Sequence, residues 1–155
     1  MNKKLSLLVC ALAFGVTLVA QPSYDNCNSP IKIGDITKYC SKVGEFTTVD
    51  ATPSGYGAST CWSTSPGDVW FAFRAFASDV NITIIGANVA GTPGGTLRTM
   101  QAALYSGVCG GTLQEINCGT DNRNAGILSL YEGGLVVGRD YLLRIDGRSA
   151  ATGTF

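Results

Sequence analysis

The sequence predicts an all-β protein, a jelly-roll-like antiparallel β-sandwich held by disulfides. Three observations carry this. Residues 68–76, DVWFAFRAF, alternate so that Val69, Phe71, Phe73 and Ala75 share one face and Trp70, Ala72, Arg74 and Phe76 the other, leaving large apolar side chains on both. Short runs of strand-forming residues recur along the chain between Gly-, Pro-, Ser- and Asn-rich turns, with no convincing helix among them. Five cysteines follow an export-type leader, which makes disulfides the expected state.

Residues 1–20 read as a secretory signal peptide. Lys3 and Lys4 form a basic start, residues 5–20 are an apolar run, and Ala20 offers a small residue for cleavage. The run is 16 residues, short of the ~20 that a spanning helix needs. Cys10 lies inside it behind Val9, where a lipoprotein signal would carry a small residue, so the mature chain is expected to have no transmembrane helix. Residues 21–30 are a polar lead-in and residues 31–155 one sandwich domain. Pieces at 31–36 and 38–40 resemble short edge strands, and 45–49 alternates weakly. Residues 51–67 form a long Gly/Ser/Thr/Pro loop holding Tyr56 and Trp62.

The segment at 68–76 is expected to lie mid-sandwich, one face on the second sheet and the other under a loop. Residues 80–85 (VNITII) read as its hairpin partner. Strands follow at 100–105, 113–118, 127–131 and 141–145, with 154–155 opening another, about eight in all. Leu135, Gly138 and Tyr141 carry the spacing of a tyrosine corner, in which a Tyr near the start of a late strand bonds back to the backbone upstream.

Loss of residues 1–20 leaves 9 basic against 11 acidic residues, and no basic patch gives a nucleic acid electrostatic footing. The chain has no His, which excludes Ser-His-Asp and Cys-His machinery, and without CxxC spacing a zinc site has no basis. Asp50, Asp68, Asp79, Asp121, Asp140 and Asp146 are candidate acid–base carboxylates, but most sit at turns where Asp serves the backbone. The oxygen-rich loop at 121–124 suggests one cofactor, a structural calcium on Asp121 and Asn122 with Asp68 nearby, although Arg123 opposes a cation cage. Tyr56 and Trp62 form a candidate platform for stacking on sugar rings, the alternative being that Trp62 plugs the sandwich end. Asn81, Ile82 and Thr83 match a glycosylation sequon but read as strand residues.

Cys109 and Cys118 bracket a short loop and are the easiest pair to close. Cys40 with Cys61 comes next, which leaves Cys27 with a missing partner, a free thiol or an intermolecular bond.

Taken in order, DNC (25–27), TTVDATPSG (47–55), Cys61 with DVWFAF (68–73), VNITI (80–84), LYSGVCGGTLQEINC (104–118), LVVGRDYLLRIDG (135–147) and TGTF (152–155) resemble a family of secreted β-sandwich modules of Bacteroidetes surface and secreted proteins. The family is similar to bacterial pre-peptidase C-terminal domains and loosely to CUB-like sandwiches. The resemblance spans 26–155 and rests on order and spacing rather than on any one piece. It implies a further strand after 155 whose cysteine pairs with Cys27, and a larger parent with other domains, of the kind exported by type IX secretion. It also implies a non-catalytic adhesion or binding module, secreted or on the outer cell surface, with a glycan or surface protein as partner. The alternatives are a structural repeat or subunit of a surface fibre or outer-membrane assembly, and an accessory domain of a secreted protease or glycosidase.

Overall fold

The computed structural model describes residues 20–87 and 91–155; the leader, apart from Ala20, lies outside them. The described chain is all-β. Its strands are β1 (Ile31–Ile33), β2 (Asp68–Arg74), β3 (Asp79–Ile85), β4 (Met100–Gly107), β5 (Leu113–Thr120), β6 (Ile127–Gly133) and β7 (Asp140–Gly147), followed by a 3-10 turn at Arg148–Ala150. A large sheet has the order β1-β2-β7-β4-β5, and a small sheet is β3-β6. Among the described residues, no helix is long and apolar enough to cross a membrane.

The two faces of β2 meet two different covers, as its alternation requires. Val69, Phe71 and Phe73 enter the core between the sheets, with Met100 and Leu104 from β4, Leu143 and Ile145 from β7, and Leu128 and Leu130 from β6. Trp70 points outward into a second cluster with Trp62, Tyr105 and Leu142. The tyrosine corner is present: Val136 N–H donates to the Tyr141 hydroxyl at 2.8 Å, fixing the entry to β7.

Several connections differ from the sequence reading. β3 is not the hairpin partner of β2. Only residues 75–78 join them, but β2 pairs antiparallel with β7 and β3 with β6. The joining residues bond instead to the β6–β7 connection, through Ala75 N–H to Arg139 O, Gly138 N–H to Ala75 O and Leu135 N–H to Ser78 O. Both connections therefore cross between sheets side by side. β1 pairs parallel with β2, so the sandwich is not wholly antiparallel. Residues 38–40 form no strand. The weak alternation at 45–49 yields a single antiparallel bridge, Thr47 to Thr154, so the two expected end pieces pair with each other. The lead-in is integral: Tyr24 O accepts the Trp70 N–H at 2.8 Å, and its ring packs on Phe46 and Phe71.

The expected cysteine pairing is replaced. Cys27 bonds Cys109, with Cα atoms 5.6 Å apart, and Cys61 bonds Cys118 at 6.2 Å. Cys109 and Cys118 do not pair, nor do Cys40 and Cys61. Cys27 is satisfied within the chain, and among the described residues Cys40 is the free, exposed thiol. The physical reason is strand rise. Cys109 lies in the β4–β5 turn, while Cys118 stands five residues up β5, roughly 17 Å away along an extended strand. A disulfide spans only about 4.4–6.8 Å between Cα atoms. Nearness in sequence therefore misled.

The two sheets meet directly at the β5–β6 side. At the β5–β6 side, Asn117 Nδ2 donates to Tyr131 O at 2.7 Å, and a Cβ at Gly119 would come within 2.6 Å of the Leu130 side chain, so glycine is what permits that approach. On the opposite side, no strand among the described residues joins β3 to the β1–β2 edge.

Candidate functional site

Strand register brings most of the chain's polar chemistry to the outer face of the large sheet. Trp70 lies opposite Arg144 and Asp68 opposite Asp146 on β2 and β7, and Gln101 of β4 lies opposite Asp146. Residues 51–67 close over them. Arg144 is at the centre, its side chain 1% exposed against 0% for Asp68. Its Nε donates to Asp68 Oδ2 at 2.8 Å, Nη1 to Gly57 O at 2.7 Å and Nη2 to Ser65 Oγ. The guanidinium also sits 4.9 Å from the Trp62 ring centroid and 5.4 Å from that of Trp70. Asp68 Oδ1 accepts the Ser54 N–H at 2.8 Å, and Gln101 Nε2 donates to Thr64 O at 2.7 Å. Ser59 pairs with the Tyr105 hydroxyl, and the Cys61–Cys118 bond ties the loop to β5.

Asp146 is the unusual member. Its Oδ1 accepts the Gly147 N–H at 2.6 Å, while Oδ2 is buried without a partner. Burial pushes the carboxyl up to about 6, and the neighbouring Asp68 charge adds to this; Ser65, the Gly147 N–H and Arg144 pull the other way.

The residues singled out from sequence are nearly all absorbed into this packing. Trp62 is 7% exposed and stacked on Arg144, so it is the plug and not a sugar platform. Tyr56 is 37% exposed, but its hydroxyl accepts the Gly110 N–H at 2.9 Å and its ring stands edge-on to Trp70. The two do not form one exposed surface. The calcium set is also dispersed. Asp121 accepts the backbone N–H groups of Arg123, Ala125 and Gly126 at 2.9–3.1 Å, Asn122 adds no second carboxylate, and Asp68 is held by Arg144. Among the described residues, no group of three or more His, Cys, Asp or Glu is placed to hold a metal ion.

What remains open is apolar. A groove of about 470 Å³ runs along the open side of the sandwich. Its base is Phe71 and Phe73 of β2 with Leu143 and Ile145 of β7. One flank is β3 from Val80 to Ile85, and the other is residues 39–44, including Tyr39, Cys40 and Val43. That volume lies within the ~300–1,000 Å³ typical of ligand sites. Val80 and Ile82 turn inward with Ile84, yet remain only partly buried.

Comparison with protein-family models, curated proteins and solved structures gives no match. The functional reading therefore rests on this chain's own geometry.

Two features escape the sequence reading. Arg144 had a signal: in YLLRI it shares a face with Leu142, and a cation in a core strand needs a buried carboxylate. The groove had little, because the alternation of VNITII marks an inward face without showing whether anything covers it.

Proposed function

We propose that this chain is a non-catalytic extracellular binding module of a secreted or cell-surface protein, and that the groove beside β3 is its binding surface. The observation that carries this is the groove itself, an uncovered apolar cleft in a sandwich whose polar side chains are committed to internal bonds. Nucleophile–His chemistry has no residues here, since the chain contains no His. The facing carboxylates Asp68 and Asp146 are buried beneath residues 51–67 and lie outside the groove lining. Two disulfides suit an oxidising compartment. A protein partner suits this surface better than a glycan, because the groove is apolar and Trp62 is buried. The unpaired edge of β3 favours a second reading, a structural subunit joined to neighbours through that edge.

The test is retention of surface and secreted proteins from the source cells on the immobilised chain, compared with the Val80→Asp/Ile82→Asp variant. The variant should stay folded by circular dichroism at the assay temperature, with a lowered melting transition because both side chains also pack on the core, while retention falls at least about tenfold, equivalent to ~1.4 kcal/mol. Equal retention by both, or none by either, contradicts the reading.

A further inference from the structure

We propose that residues 51–67 are a pH-released cover: loss of the proton from Asp146 frees them from the outer face of the large sheet while both sheets stay folded. Asp68 of β2 and Asp146 of β7 are opposed in register, and both are buried, at 0% and 1% exposure. One guanidinium serves the two. Arg144 Nε is bonded to Asp68 Oδ2, while Nη1 and Nη2 go to Gly57 O and Ser65 Oγ of the cover. Gln101 of β4, opposite Asp146, is neutral and donates to Thr64 O. Residues 51–67 contain no Asp, Glu, Lys or Arg. Ser65 stands beside Asp146, yet Oδ2 has no hydrogen-bond partner. Other charged groups nearby are engaged elsewhere: Glu115 of β5 accepts the Thr60 N–H at the cover's rim, and Arg148 donates to Asp121 O. An ionised Asp146 adds a second buried carboxylate without a second cation, which the closed cover disfavours unless the proton stays.

The same interface gathers the unmet polar groups. Among the described residues, the buried side-chain atoms without a hydrogen-bond partner are Ser54 Oγ, Trp62 Nε1, Trp70 Nε1 and Asp146 Oδ2. Two belong to the cover and two to the sheet face beneath it. Each gives up hydration when the cover closes and regains it when the cover opens. Apart from an Asp68 N–H to Thr52 O contact at 3.4 Å, the bonds between cover and strands run through side chains, so opening breaks no strand pairing. Such a segment belongs to the low-stability end of a fold. The Cys61–Cys118 bond keeps it attached to β5 when it opens. Burial, with the Asp68 charge adding to it, holds the Asp146 carboxyl up at about 6 against an ordinary 3.8. Closure is therefore favoured fully below the ordinary value and weakens as pH rises to about 6.

Amide hydrogen exchange on the full chain tests this, read as protection factors so that the intrinsic pH dependence of exchange is removed. The Ser54 and Trp62 amides, which donate to Asp68 Oδ1 and Ser59 O, report on the cover. From about pH 4 to about pH 7 their protection should fall at least about tenfold, and it should stay below that of the β7 amides throughout. In Asp146→Asn, which carries no charge at either end of the range, the fall should vanish. Cover protection equal to that of β7 at every pH overturns the inference, since residues 51–67 then open only with the whole fold. Protection that does not change with pH overturns it too, as does a fall that persists in Asp146→Asn. The direction in the unsubstituted protein is decisive even if that variant does not fold. Glu115 and Asp68 accept N–H groups of the cover and grip it more tightly when ionised, so protection that rises with pH assigns the dependence to them and overturns the inference.

Discussion

The face beneath residues 51–67 holds Arg144, Asp68, Asp146, Trp62 and Trp70, the kinds of residue that sites are made of, and every one is buried. The groove beside β3 has a buried base of Phe71, Phe73 and Leu143, the kinds of residue that cores are made of, and walls of Val80, Ile82 and Val43 that stay partly or largely exposed. The difference teaches that in this sandwich charge and aromaticity fasten a loop, whereas the exposed surface is interrupted core. Chemistry with its bonds already made inside the protein has little left for a ligand, while an apolar face without a cover retains its full tendency to acquire one.

Substitutions should separate the two regions by their effect on stability. The largest loss is expected at Arg144. Arg144→Ala leaves Asp68 buried without its cation, which costs ~3–5 kcal/mol, whereas Arg144→Met with Asp68→Leu should recover much of it. Urea denaturation of both variants checks this, and a small loss for Arg144→Ala would show that the face is wetter than its burial indicates. Next is the loop tether. Cys61→Ser with Cys118→Ser should cost ~2–4 kcal/mol. Non-reducing peptide mapping of the parent protein should return Cys27–Cys109 and Cys61–Cys118 with Cys40 alkylated.

A smaller, pH-dependent effect is expected from Asp146. Its folded value of about 6 exceeds the unfolded 3.8, so between these the folded state holds a proton that the unfolded state has lost. The contribution is fully present below the unfolded value, declines as pH rises to about 6 and is then flat, a change of at most about 3 kcal/mol. Asp146→Asn should remove that decline from the stability–pH curve. Identical curves for both proteins would show that Asp146 is solvated.

The smallest effect on stability is expected in the groove wall. Val43 is 64% exposed, so Val43→Asp should change unfolding free energy by no more than about 0.5 kcal/mol while weakening whatever the groove holds. A large destabilisation there would make the flank part of the closed core and erase the contrast.

Much of the scaffold was legible before the structure because it depends on local pattern. The two apolar faces of DVWFAFRAF required two covers, and both exist: the small sheet inside and residues 51–67 outside. Tyr141 could be read as a corner because its partner at Val136 lies five residues away. What was lost depends on which strands become neighbours. Cys118 meets Cys61 because β5 carries it toward residues 51–67, and β3 leaves β2 because residues 75–78 bond to the β6–β7 connection. Strand assignment alone encodes neither. The candidate site was legible only as residue types: Trp62, Tyr56 and Asp121 were noticed for their chemistry, which packing then consumed. A groove is defined by what does not lie above it, and no local pattern reports that.

The most direct measurement is residue-resolved amide exchange on the protein alone, comparing the free edge of β3 with β7 at the centre of the large sheet. The β7 amides should be protected to near the global unfolding free energy, and the β3 amides not bonded to β6 should exchange orders of magnitude faster. Equal protection of that β3 edge and of β7, unchanged on dilution, would mean that the edge is already paired and would contradict the open groove.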